Sequence, residues 1–268
     1  MIFKIIFRVL EKSSILPLSY QYELSSWIYR LIQQGDSDFS QFLHQKGYVM
    51  GNKHFKLFTF SNVYVSRYKI LDDRMKILSD EISFFISFYV DKAAESMVMS
   101  LFSHQDLRLG DEISQVRLRV TEIQCIAVQV PDGALRFKTL SPIVVSKPSE
   151  RVNGRLIAEY LSPRDSDFER IFVQNLQDKY ESAVRAGLAS PLQQPETTIR
   201  FKLLSENPKP RLIRIKAHTP EETKIKGYMF DFELDAPKEL IRCGLLAGFG
   251  EKGSQGFGCA RIKKGGEG

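Results

Sequence analysis

The sequence predicts an α+β protein made of two tandem ferredoxin-like domains, each with the strand-helix-strand-strand-helix-strand (βαββαβ) order, and a C-terminal glycine-rich loop. The first observation is the length, because 268 residues exceed one average domain. The second is that strand-like and helix-like hydrophobic periodicity follow one another in a similar order twice. The third is the turn signal at 131–133, Pro-Asp-Gly, which separates the two series. We therefore expect domains at residues 1–130 and 131–268.

The first half supplies one βαββαβ series. Near-alternating apolar residues predict strands, and the spacing of Leu24, Ile28 and Leu31 predicts an amphipathic helix. The predicted elements are strand 2–9, helix 21–33, a short helix from the N-cap Ser37, strand 55–66, two short strands in 67–79, strand 81–90, helix 91–105 and strand region 111–130.

The second half repeats the order with extra strands. The predicted elements are strand 135–146, helix 166–187, strands 196–204, 211–218 and 226–234, a helix over about 237–247, the glycine-rich loop and a final strand.

Composition restricts the class of protein. The chain is 43% hydrophobic and 26% charged, and its net charge of +6 with a pI near 9.1 favours an anionic partner such as nucleic acid. No stretch approaches 18 uninterrupted apolar residues, so we expect no membrane span. Cys125, Cys243 and Cys259 are scattered and lack metal-ligand spacing, which argues against zinc and leads us to expect structural cysteines in a reducing cytoplasm.

The stretch "GFGEKGSQGFG", residues 248–258, contains the G-x-G-x-x-G pattern of dinucleotide-binding proteins. That pattern has its meaning between a strand and a following helix. Here a predicted helix precedes it and a short strand follows, so a Rossmann unit does not fit. Glycines in such number instead suggest that a partner approaches the main chain closely.

Three features of the sequence resemble one known family. The loop matches a motif of Gly-hydrophobic-Gly, five residues, and Gly-hydrophobic-Gly, placed after the last helix. "LSPIVVS" at 140–146 resembles the strand that opens that family's second domain, and "WIYRLI", "FLHQKG" and "FKLFTFS" resemble its N-terminal blocks in order. The family is that of the CRISPR repeat-processing endoribonucleases (Cas six), within the repeat-associated RNA-binding superfamily. The resemblance covers nearly the whole chain.

The resemblance implies metal-independent cleavage of CRISPR repeat RNA, without a cofactor, to give guide RNAs. In such cleavage the RNA's own 2′-hydroxyl attacks the adjacent phosphate, leaving a 2′,3′-cyclic phosphate and a 5′-hydroxyl. Residue by residue, the catalytic histidine corresponds to His44, the tyrosine to Tyr29 and the lysine to Lys56. Histidine suits the proton transfers because its unperturbed pKa is about 6.5. The ordinary alternative is that His44, at the end of a helix, only interacts favourably with the C-terminal end of the helix dipole.

The connector between His44 and Lys56 is longer than the family's usual one, and it contains His54, which is a reserve base. His104 and His218 are assigned to capping and to a polar turn. We expect RNA contacts from the glycine-rich loop and from a basic strand, although exposed charge on a half-buried sheet explains such a strand equally well. The expected RNA-binding residues are Gly248, Gly250, Lys252, Gly256, Gly258, Arg214 and Lys216.

Two other functions stay open. One is a non-catalytic RNA-binding subunit of a CRISPR effector complex, since relatives of the family share the fold and loop without cutting. The other is a small-molecule enzyme that uses the loop for phosphate. Partners under the main hypothesis are repeat RNA and effector subunits, and the chain is expected as a monomer or a homodimer.

Overall fold

Antiparallel sheets and five helices make up the part of the chain that the structure describes. The computed structural model describes residues 1–150, 156–193 and 199–263. The fold is mixed α/β, in agreement with the predicted α+β class. Within the described residues, no helix is long and apolar enough to cross a lipid bilayer.

The strands of the N-terminal half are β1 (Ile2–Val9), β2 (Ile15–Pro17), β3 (Tyr48–Met50), β4 (Lys53–Phe55), β5 (Phe58–Phe60), β6 (Tyr64–Val65), β7 (Tyr68–Leu71), β8 (Arg74–Ile77), β9 (Glu81–Phe88), β10 (Asp106–Gly110) and β11 (Gln115–Ile126). Its main sheet has the strand order β10–β11–β1–β9–β5, and β6 also pairs with β9. Its helices are α1 (Gln21–Gly35), α2 (Ser37–Gln45) and α3 (Asp91–Ser103). The alternation along β1 buries Phe3, Ile5 and Phe7 on one face, as the pattern predicts.

The strands of the C-terminal half are β12 (Leu135–Thr139), β13 (Ser146–Glu150), β14 (Leu156–Tyr160), β15 (Arg200–Leu203), β16 (Lys209–Ile215), β17 (Thr223–Met229), β18 (Asp231–Asp235) and β19 (Ala260–Ile262). Four of them form one sheet with the order β15–β18–β12–β19. The helices of this half are α4 (Phe168–Arg185) and α5 (Lys238–Ala247), and a 3₁₀ turn covers Gly253–Gln255. The pairs β13–β14 and β16–β17 form separate hairpins.

Several predicted strands are divided in the structure. The prediction of one strand over 135–146 is wrong, because β12 ends at Thr139 and Pro142 supplies no N–H for a ladder. Likewise 226–234 contains parts of β17 and β18. The predicted strand 55–66 also breaks up: it contains the last residue of β4, all of β5 and all of β6, and Leu57 between β4 and β5 has a φ of 52°. Residues 196–198 of another predicted strand lie outside the described residues.

Two local predictions need correction. The N-cap of α2 is Asp36, and not Ser37, because the Asp36 carboxylate accepts the hydrogen bond from the Phe39 N–H at 2.8 Å. Cys125 is exposed, whereas Cys243 and Cys259 are buried in the core. The expectation of three structural cysteines therefore fits only the two buried ones.

One cluster of buried hydrophobic residues runs through both halves of the chain. Leu24, Ile28 and Leu31 of α1 are each at most 1% exposed in it, so the predicted apolar face of this helix is confirmed. The cluster also contains Phe172 of α4 and Phe249, which stack with ring centroids 5.9 Å apart. The shared core fixes the glycine-rich loop between the halves.

Candidate active site

The turn between α1 and α2 brings Tyr29 and His44 together. The cap at Asp36 lets the chain fold back, so the two rings meet edge to face, with centroids 5.9 Å apart and an interplanar angle of 79°. Tyr29 is half-buried and His44 is exposed. Both side chains line one groove of about 340 Å³.

Burial controls the protonation of Tyr29. Its ring packs on Phe58 at 5.5 Å, and burial raises the pKa of the hydroxyl above its usual value, while a hydrogen bond with Ser254 acts in the opposite direction. The hydroxyl is therefore protonated at neutral pH and is able to donate a hydrogen bond.

Lys56 follows β4 and joins this pair through the backbone. Its ammonium group donates a hydrogen bond to the carbonyl oxygen of His44 at 3.1 Å. That carbonyl lies in the last turn of α2, where carbonyls lack intrahelical partners and a cation is favourable. Partial burial lowers the pKa of Lys56 below its usual value. The structure thus brings the three predicted catalytic residues together, and their catalytic roles stay predictions.

The long connector between His44 and Lys56 is the hairpin β3–β4. Lys53 in this hairpin forms an ion pair with Asp178 of α4 at 2.6 Å, which ties the connector to the C-terminal half. His54 is exposed, and its Nδ1 lies 2.9 Å from the Lys46 carbonyl oxygen. His54 is therefore close to the end of α2, and both histidines remain candidates for the proton transfers.

The glycine loop, residues 248–258, packs against the protein itself. Gly248, Gly250, Gly256 and Gly258 are buried, and their φ angles of 87°, 73°, 86° and 79° lie in the left-handed region that favours glycine. A Cβ at Gly250 would lie 2.4 Å from the carbonyl oxygen of Val144, and one at Gly256 would meet the Phe60 ring at 2.5 Å. The close partner of these four glycines is thus protein from both halves. RNA contact with them stays a prediction that requires the loop to move.

Hydrogen bonds join the glycine loop to the N-terminal half. The Ser25 hydroxyl of α1 donates to the Ser254 carbonyl at 2.7 Å, and the Thr59 hydroxyl of β5 donates to the Phe257 carbonyl at 2.7 Å. Since Ser254 also contacts Tyr29, the loop borders the predicted catalytic residues. Lys252, at the tip of the loop, is half-buried. Among the loop residues that are expected to bind RNA, it is the one that the protein does not enclose.

A buried lysine on α4 holds the loop, and sequence reasoning missed it. The Lys179 ammonium group donates to the carbonyl oxygens of Gly248, at 2.6 Å, and Gly250. Lys179 is 3% exposed, and burial lowers its pKa to about 8. A signal was present in the sequence: the buried side of α4 includes polar residues at helical spacing, namely Asn175, Asp178, Lys179 and Ser182.

The predicted basic strand, β16, lies against the start of α1. Arg214 is exposed, and its backbone N–H donates to the Ser19 hydroxyl at 3.2 Å. The Lys216 ammonium group lies 5.8 Å from the centre of the Tyr22 ring and also pairs with Glu221. These two predicted RNA-binding cations therefore lie near the start of α1, whereas the glycine loop contacts α1 further along, at Ser25.

Among the described residues, no group of three or more His, Cys, Asp or Glu side chains is arranged to hold a metal ion.

Family models match almost the whole chain. The C-terminal model of "CRISPR associated protein Cas6" matches residues 127–262, and the N-terminal model of "CRISPR-associated protein Cas6" matches residues 15–124. The chain is 26% identical over 248 residues to "CRISPR-associated endoribonuclease Cas6 1" of Methanocaldococcus jannaschii, covering 92% of this chain and 87% of the relative. It is 27% identical to "CRISPR-associated endoribonuclease Cas6" of Pyrococcus furiosus, covering 92% of this chain and 83% of the relative.

A solved structure has the same fold over its full length. The product of a Cas6-related gene from Pyrococcus furiosus aligns with a TM-score of 0.82 at 25% identity, covering 99% of each chain. The relatives are named as endoribonucleases. Together with the matched models, these similarities show that the chain belongs to the Cas6 family of CRISPR-associated proteins.

Proposed function

We propose that this protein is a metal-independent endoribonuclease that cuts CRISPR repeat RNA within each repeat of a precursor transcript. The observation that carries the proposal is the grouping of Tyr29, His44 and Lys56 beside the glycine loop. The names of its relatives as CRISPR-associated endoribonucleases support the same reaction class.

The reaction needs two proton transfers and stabilisation of negative charge. The 2′-oxygen attacks phosphorus and loses its proton, the bond from phosphorus to the 5′-oxygen breaks, and that oxygen gains a proton. His44 is the proposed base or acid for one transfer. The Lys56 ammonium group neutralises the phosphate, and its lowered pKa makes it a readier proton donor than an ordinary lysine. Tyr29 stays protonated and orients a phosphate or ribose oxygen.

One side of α1 places the parts of the proposed RNA path in order along the helix. Tyr22, Ser25 and Tyr29 are spaced by three and four residues, so they lie along one side of the helix. Tyr22 contacts Lys216 just after β16, the buried Ser25 binds the glycine loop that covers it, and Tyr29 contacts His44. Seven residues of helix span about 10 Å. RNA bound at Arg214 and Lys216 would therefore reach the proposed cleavage site within a few nucleotides.

We also propose that each half is a ferredoxin-like domain, with the boundary near residue 130. Counting the βαββαβ strands of each half, the orders β11–β1–β9–β5 and β19–β12–β18–β15 both read fourth, first, third, second. The two family models meet between residues 124 and 127, which supports the same boundary.

The decisive experiment incubates the protein with the repeat RNA of its own genome in excess chelator. We expect cleavage by the parent and by His54→Ala, at least a 100-fold loss in His44→Ala, and a 2′,3′-cyclic phosphate on the upstream product. A substrate with a 2′-deoxy sugar at the cut site should bind and stay intact.

Three results would contradict parts of this proposal. Loss of cutting only in His54→Ala would move the catalytic role to that histidine. Cleavage of the 2′-deoxy substrate would refute the nucleophile. Tight binding of the repeat without cutting by the parent would favour the non-catalytic RNA-binding role.

A further inference from the structure

A cavity adjoins Lys56 on the side of the glycine loop. It lies between the segment 53–58, α4 and the loop, and its volume is about 370 Å³, within the usual range of about 300–1,000 Å³ for ligand pockets. Phe55, Phe58 and Ile171 supply apolar wall, and Asn175 and Lys179 of α4 also line it. We call it the α4 cavity.

Asn175 is the unusual residue of the α4 cavity. The residue is only 6% exposed, and its enclosed Oδ1 has no hydrogen-bond partner among the described residues. Buried polar atoms are normally paired, so an unpaired one calls for an explanation. An amide that offers both an acceptor and donors matches the Watson–Crick edge of a nucleobase, which likewise carries both.

The charges around the α4 cavity suit a phosphodiester chain at its rim. Lys53, Lys56 and Lys252 line it, and Lys53 is half-exposed although paired with Asp178. Among the lining residues the one carboxylate is that of Glu251, which is turned toward the Ser146 N–H and hydroxyl at 2.7 and 2.9 Å. The cationic side chains at the rim suit a phosphate group outside the cavity. The amide and the apolar wall inside it suit a base.

We infer that the α4 cavity binds one unpaired nucleotide next to the scissile phosphate, with its base inserted against Asn175. Lys56 connects the two sites, because it lines the cavity and its ammonium group also donates to the backbone carbonyl oxygen of His44. The inference rests on the proposed RNA cleavage and names a determinant of substrate choice within it. Insertion requires the base to leave any stack, so the nucleotide must be single-stranded at that point.

The test replaces one base at a time in the repeat RNA, at three positions on each side of the cut, by an abasic ribose. Single-turnover cleavage and binding are measured for the parent, Asn175→Ala and Asn175→Leu. Binding uses the strand with a 2′-deoxy sugar at the cut. Gln177→Ala, on the same helix and not lining the cavity, is the matched control.

We expect one abasic position beside the cut to reduce parent cleavage or binding about 10-fold or more. Both Asn175 variants should show a similar loss with intact RNA and no further loss when that position is abasic. At the other positions, the loss caused by the abasic substitution should multiply with the loss caused by the variant. Gln177→Ala should keep the parent's pattern. Asn175→Leu removes an unpaired buried amide and should fold at least as stably as the parent, which separates base recognition from misfolding.

The outcomes separate this inference from the proposed function. Cleavage by the parent with equal effects of abasic substitution in parent and variants at every position would refute the cavity and leave the enzyme intact. Binding without cleavage, but with the same dependence on Asn175, would refute the catalysis and support the cavity. A third outcome would overturn both the proposed RNA cleavage and this inference. In it, the parent binds free nucleoside monophosphates but no RNA, and Asn175→Ala weakens the binding of the monophosphates.

Discussion

The ammonium group of Lys179 lies 2.6 Å from the carbonyl oxygen of Gly248 and also donates to that of Gly250. One buried side chain on α4 thereby holds both ends of the first Gly-Phe-Gly unit. The next residue toward the N-terminus, Asp178, binds Lys53 in the connector that leads to Lys56. Consecutive residues of α4 thus hold two walls of the α4 cavity.

Replacing Lys179 by methionine should change how stability depends on pH. The folded-state pKa is about 8 and the unfolded value is 10.5, so between these values the unfolded chain binds more protons. This group therefore makes the parent more stable as pH rises from about 8 to 10.5, by on the order of 3 kcal/mol. Lys179→Met should lack that contribution.

The measurement is chemical denaturation of the parent and Lys179→Met at a series of pH values. Tyr20 has a folded-state pKa raised to about 12 by burial, which lowers stability at high pH in both proteins. The difference between the two curves reports Lys179 together with its electrostatic coupling to the buried Cys243 thiol, whose pKa Lys179 lowers. A difference that does not vary between pH 8 and 10.5 would contradict the lowered pKa.

Gly250→Ala should destabilise the protein strongly. The new Cβ would lie 2.4 Å from the backbone oxygen of Val144. In addition, a non-glycine residue at the Gly250 φ of 73° costs about 1–2 kcal/mol. Gly133→Ala is the matched control, because its φ is 86° but no atom lies within 4 Å of the added Cβ. Denaturant titration should give a loss above about 3 kcal/mol for Gly250→Ala and about 1–2 kcal/mol for Gly133→Ala. Equal losses would mean that the loop moves to accept the methyl group.

Reversing the charge of Lys53 should reduce both stability and cleavage. Lys53 is half-exposed, but the Asp178 side chain is only 11% exposed, so a glutamate at residue 53 would face a largely buried carboxylate. Lys53→Glu should also lower the cleavage rate of the folded protein several-fold, since it releases the connector that positions Lys56. The double variant Lys53→Asp with Asp178→Lys should recover activity. Failure of that recovery, with both chains folded, would show that Lys53 acts on RNA rather than on the connector.

Arg214→Ala should weaken RNA binding and reduce its dependence on salt. Each lost phosphate contact to a single strand reduces the slope of log K against log salt by about 0.7. Arg119→Ala is the control, because Arg119 is also an exposed strand arginine, on β11, and it pairs with Asp106 at 2.7 Å. Binding titrations at four salt concentrations measure both slopes. The same slope in Arg214→Ala and the parent would remove β16 from the proposed RNA path.

The sequence by itself determined the element types, the positions of the candidate residues and the family resemblance. Leu24, Ile28 and Leu31 predict α1 because helical periodicity is a property of neighbouring residues, and the blocks around Tyr29, His44 and Lys56 could be compared without coordinates. Strand ends were less predictable. β12 stops at Thr139 where Leu140 and Ser141 turn to hydrogen-bond with the Cys259 carbonyl, a contact that periodicity cannot reveal.

Only the tertiary structure decided what lies against the glycines and what surrounds the site. The loop's partners come from distant positions: Ser25 and Ser254 are 229 residues apart, and Lys53 and Asp178 are 125 apart. Such pairs form because the shared core packs the two halves together, and local sequence carries no record of that arrangement. The burial of Lys179 and the unpaired amide of Asn175 follow from the same packing, since a polar residue on a helix is buried or exposed according to what covers it.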